Sequence, residues 1–69
     1  MKMFRVVVSA VLPHTEFREC VYHVSAEWSY QAINKAIHDF NFNMLIEQYI
    51  RDYEILNVSC REEDEDEEE

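Results

Sequence analysis

Glycine is missing from this chain of 69 residues, which has one proline, one tryptophan and two cysteines. Without glycine there is no Gly-rich loop to cradle a phosphate, so the common nucleotide-binding signatures are excluded. Two-residue hairpin turns that depend on Gly for positive φ are also disfavoured, and a longer loop is expected between paired strands. Cys20 and Cys60 are too few for a secreted disulfide scaffold and too far apart for a self-contained metal knuckle, which suits a reduced, cytosolic setting. Basic residues are scarce, six against fifteen acids, and they form no cluster. That leaves no electrostatic footprint for a phosphate backbone, so direct binding of DNA or RNA is disfavoured. Long apolar runs are lacking too. The stretch from Phe4 to Leu12 is interrupted by Arg5 and Ser9 and has no small-residue cleavage site. It reads as neither a signal peptide nor a membrane span.

The length allows a single small core. Residues 62–69, EEDEDEEE, hold eight of the fifteen carboxylates and no apolar side chain. Such a run cannot offset the entropy of ordering, and a disordered acidic tail is expected there, leaving residues 1–61 as one folding unit. The body is then nearly neutral, with seven acids against the six bases. The tail has two readings: a solubilising extension, or a decoy for the basic groove of a nucleic-acid-binding protein.

In the first run, Phe4, Val6, Val8, Ala10 and Leu12 alternate with residues that include Arg5 and Ser9, the period of a half-buried strand. Pro13-His14-Thr15 ends it. A second strand over residues 17–24 puts Cys20, Tyr22 and Val24 on one face, and the two runs are expected to form an antiparallel hairpin. Ser25 is a candidate N-cap, with Glu27 in the first turn. From there Ala26, Tyr30, Ile33, Ile37, Phe40 and Met44 recur at helical spacing as a core stripe. The stripe loses phase at Asn41-Phe42-Asn43, where Phe42, Ile46, Tyr49 and Tyr53 begin a second, rotated one. A helix to about residue 40 is expected, followed by a short second helix or irregular turn over residues 44–51. Residues 54–61, EILNVSCR, read as a third strand with Leu56, Val58 and Cys60 on one face. The order is β-β-α-(α)-β, a small α+β fold with a three-stranded antiparallel sheet packed by one main helix and a short second one. Both cysteines are expected to face the helix as small hydrophobes.

On a helical wheel Trp28, Gln31, Lys35 and His38 lie opposite Ile33 and Phe40, with Asn34 and Glu27 on the flank. The only tryptophan is thus off the core stripe. Either it folds back over the sheet edge or the end of the core, or it anchors a partner, and the enrichment of Trp among interface hot spots favours the second. His14, His23 and His38 have no metal-ligand spacing, and no cofactor or metal is expected. No nucleophile and base can be paired in so short a chain, so it is not expected to be an enzyme.

The segments MFRVVVSAVL, EWSYQAINKAIHDF and YEILNVSCR together resemble the Dmd family of antitoxins from T-even-type phages. The resemblance spans most of residues 3–61 and is most telling at Asn34-Lys35-Ala36 and Val58-Ser59-Cys60-Arg61. It implies a protein of the host cell cytoplasm that enters the groove of a ribonuclease toxin of RNase LS type (RnlA or LsoA) and blocks cleavage of phage messenger RNA. It also implies that Trp28 and Asn34 face the toxin, while residues 43–51 and the acidic tail are additions to the family pattern. Two other readings remain: an acidic nucleic-acid mimic that occupies a basic host protein, and a plain structural or assembly module.

Overall fold

The computed structural model describes residues 1–63. Strands β1 (Lys2–Leu12), β2 (Glu16–Ala26) and β3 (Glu54–Glu63) form one antiparallel sheet in the order β2-β1-β3, and helix α1 (Ser29–Phe42) packs on one face. This is the expected α+β architecture. The alternation in β1 is realised in full, since Phe4, Val6, Val8, Ala10 and Leu12 are all buried beneath the helix. Being central, β1 pairs on both sides, from Lys2↔Ala26 to Leu12↔Glu16 with β2 and from Met3↔Glu63 to Val11↔Glu54 with β3.

The hairpin loop is the three-residue 3-10 turn Pro13–Thr15, longer than two residues as expected. It nevertheless uses left-handed backbone, at His14 (φ 69°) and Thr15 (φ 59°). Each such residue with a Cβ costs roughly 1–2 kcal/mol, a strain the paired strands on either side must hold in place.

The helix begins later than the N-cap chemistry of Ser25 suggests. Ser25 and Ala26 pair with Met3 and Lys2, so they belong to β2, and Glu27 lies outside the first helical turn. Trp28 occupies the N-cap position without a side-chain cap. Its carbonyl accepts the first helical hydrogen bonds from the Gln31 and Ala32 amides. The buried stripe is Ala32, Ala36, Phe40 and Met44 at strict intervals of four, while Ile33 and Ile37 flank it and Tyr30 is exposed. Two alanines at its centre let the helix backbone approach the sheet closely, a signal that a search for bulky apolar residues passes over. Ala26 is buried as expected, but from the strand.

Past Phe42 the chain does not start a separate helix. It continues into a π-helical turn, Asn43–Glu47, which places Met44 in the core. The π turn ends with Tyr49 in the left-handed region (φ 57°), and the Ile50 amide closes back on the Met44 carbonyl at 2.7 Å. Tyr53 then stacks edge-on against Phe40, with ring centroids 5.7 Å apart, and its hydroxyl donates to Asn41 Oδ1.

Two features of β3 depart from expectation. The register jumps from Ser9↔Asn57 to Ala10↔Ile55, so Leu56 is the extra residue of a β-bulge. The bulge reverses the alternation, turning Ile55 toward the core with Val58 and Cys60 and leaving Leu56 exposed. The acidic tail also begins later than residue 62. Glu62 pairs with Phe4 and Glu63 with Met3, and their carboxylates lie 3.9 Å from Lys2 Nζ and 3.2 Å from His23 Nδ1. Residues 64–69, the rest of the expected disordered tail, lie outside the described residues. Among the described residues no helix is long and apolar enough to cross a membrane.

Cys20 and Cys60 are both free thiols packed against the core, as expected, and burial pushes the Cys60 thiol up. Tyr22, next to Cys20 on the same face of β2, has its pKa pushed up to about 12, first by burial and then by the nearby Cys20 and Asp39. Its phenol favours the neutral form more in the folded state than in the unfolded one. The stabilisation is therefore complete below about pH 10, the unfolded value, and is lost as pH rises toward 12. In a spectrophotometric titration of the four tyrosines, the last to ionise should be the one missing from the Tyr22→Phe protein. Loss of the earliest transition instead would contradict this burial.

Candidate functional site

The face of α1 turned away from Ala32, Ala36, Phe40 and Met44 carries the residues singled out from the sequence. Trp28 is 53% exposed and belongs neither to the buried core nor to the side chains packed against it. It is not part of the core, although it lies against the end of the sheet. Its indole borders a shallow depression with Met1, Lys2 and Glu27, at the end of the sheet where β1 starts and β2 finishes. Asn34, Lys35 and His38 are exposed and line a second depression of about 350 Å³ with Asp39. Of the six expected positions, Glu27 and Trp28 border the depression at the helix start, Asn34, Lys35 and His38 line the one along its outer face, and Gln31 lines neither.

Gln31 and Lys35 also have structural roles. The Gln31 side-chain carbonyl accepts the Glu27 amide, one residue before the N-cap, at 3.1 Å, a variant of the capping box. Lys35 Nζ donates to the Ser25 carbonyl at 2.8 Å, tying the middle of the helix to the end of β2. These contacts fix the angle between strand and helix and so hold Trp28 in the bend between them. His38 Nδ1 is 4.0 Å from Asp39 Oδ1, and both side chains are largely in solvent.

The three histidines sit on separate elements: His14 in the hairpin turn, His23 on the outer side of β2 and His38 on α1. Among the described residues no group of three or more His, Cys, Asp or Glu is placed to hold a metal ion.

Sequence reasoning overlooked the C-terminal half of this face. Phe42, Leu45, Ile46 and Tyr49 are 44 to 84% exposed, although the apolar pattern alone would send them to a core. Phe42 is the last residue of α1, and Leu45, Ile46 and Tyr49 lie on and just past the π turn that follows, so exposed apolar side chains continue from the polar face of the helix into the turn. This second stripe is visible in the sequence as the loss of phase at residues 41–43, but its exposure is not. Comparison with protein-family models, curated proteins and solved structures finds no match to this chain.

Proposed function

We propose that the chain is a phage-type antitoxin: a non-catalytic protein that binds a bacterial endoribonuclease toxin of RNase LS type (RnlA or LsoA) in the host cytoplasm and shields phage messenger RNA. The observation that carries this reading is the half-exposed Trp28, placed at the start of the helix whose outer face carries Asn34, Lys35 and His38, while the core closes without it. A half-exposed tryptophan outside the core is the residue type most enriched among protein-binding hot spots. The resemblance to Dmd antitoxins, which places Trp28 and Asn34 toward the toxin, supplies the class of partner.

Inhibition should be stoichiometric. Titrated into an RnlA- or LsoA-type ribonuclease with a labelled RNA, the protein should suppress cleavage only as it approaches molar equivalence. A chain ending at Glu63 should inhibit equally well. Inactivation at a small fraction of an equivalent would indicate an enzyme, and loss of inhibition on removing residues 64–69 would favour the acidic mimic.

A further inference from the structure

We infer that Phe42, Leu45, Ile46 and Tyr49 form an apolar second half of the partner-binding face, which inserts into an apolar groove on the ribonuclease that the chain binds. The inference rests on the antitoxin reading and extends it to a segment outside the family pattern. Four large apolar side chains stand exposed within eight residues, at the last residue of α1 and on and just past the π turn that follows, and such a cluster is the kind of apolar anchor that is laid into a hydrophobic groove.

Two further observations single out this segment. Its backbone departs from regular geometry twice, in the π turn Asn43–Glu47 and in left-handed Tyr49, which is 84% exposed. A helix end of this kind is usually closed by glycine, and no contact with the core accounts for a tyrosine there. The turn is also held rigid on its polar side. Asn43 Nδ2 donates to Glu47 Oε1 at 2.6 Å, Gln48 Nε2 donates to Asn43 Oδ1 at 2.8 Å, and Arg18 Nη1 donates to Gln48 Oε1 at 2.7 Å. The apolar side chains are thus presented in a fixed geometry before binding, which reduces the ordering cost of association.

The occupant follows from area and charge. The cluster exposes on the order of 400 Å² of apolar surface, about half of what one partner contributes to a stable interface. A second copy meeting it cluster to cluster would bury too little. The shortfall is made up if the same partner also covers the patches at Asn34, Lys35, His38 and Trp28. A lipid surface is disfavoured because residues 39–49 contain no Lys or Arg, two acids and a chain of net charge -9 around them.

The test compares the full chain with the Leu45→Gln/Ile46→Gln double variant, with Tyr49→Gly and with Trp28→Ala, each titrated calorimetrically into an RnlA- or LsoA-type toxin. Glutamine keeps helix propensity, and glycine suits the left-handed position, so Tyr49→Gly should melt no earlier than the parent. The expected result is at least 30-fold weaker binding for the double variant and at least tenfold for Tyr49→Gly, with circular dichroism unchanged. Full binding by both cluster variants while Trp28→Ala fails would overturn the cluster assignment and leave the antitoxin reading intact. If the unmodified chain binds neither toxin type, that reading falls and the cluster assignment falls with it. A dimer in sedimentation that the double variant dissociates, or binding to phosphatidylglycerol vesicles that it abolishes, would assign the face to another occupant and overturn the inference.

Discussion

Phe40→Ala should leave the protein largely unfolded at 25 °C. Phe40 has no solvent exposure, sits in the buried stripe between Ala36 and Met44, and stacks on Tyr53, which ties the chain leaving the helix to the start of β3. Truncating a buried Phe typically costs about 3–5 kcal/mol. At roughly 0.05–0.15 kcal/mol per residue, a domain of this size has only about 3–10 kcal/mol in total. Its alanine neighbours cannot collapse into the space, because they have no side-chain length to move. Ile33→Ala is the comparison: Ile33 flanks the stripe and is only partly buried, so its loss should be roughly half as large and leave a cooperative transition. Urea unfolding followed by far-UV circular dichroism reads both. A loss below about 1 kcal/mol for Phe40→Ala would mean that the helix is not held to the sheet by this residue.

The contrast between these two residues shows what was legible in the sequence. Period two in β1 survives because every inward side chain is apolar and the strand is paired on both sides, so pattern and environment agree. The helix stripe was legible in direction but not in its centre, since Ala32 and Ala36 contribute by being small. Backbone pairing was the hidden variable elsewhere. Ser25 has the chemistry of an N-cap, yet its pairing with Met3 keeps it in a strand, and Glu62 and Glu63 join β3 through main-chain register to which composition is blind. The bulge at Leu56 and the π turn at Asn43–Glu47 each insert one residue of phase. An alternation read straight through them assigns the wrong face, as happened for Ile55 and Leu56. For the candidate site, Trp28 and Asn34 were legible because polar neighbours marked their side of the helix. The exposure of Phe42, Leu45, Ile46 and Tyr49 was not, because an apolar side chain carries no mark that distinguishes a buried position from an exposed one.

Trp28→Ala should separate binding from folding. If the indole anchors a partner, its removal should weaken binding to the toxin by about 2 kcal/mol or more, on the order of 30-fold. Folding stability should fall by less than about 1 kcal/mol, because the side chain is 53% exposed and lies outside the core cluster. The helix start should persist, since it is the Trp28 backbone carbonyl that takes the bonds from Gln31 and Ala32, and the Gln31 and Lys35 side chains anchor to backbone groups of Glu27 and Ser25. Asn34→Ala is the companion: exposed and mid-helix, it should lose affinity without a change in thermal midpoint. Phe40→Ala fails in the opposite way, losing binding only because it loses the fold. The measurement is urea denaturation beside calorimetric titration of the toxin on the same preparations. A folded Trp28→Ala protein that binds and inhibits like its parent would remove Trp28 from the interface, and the proposed site at the helix start would have to be abandoned.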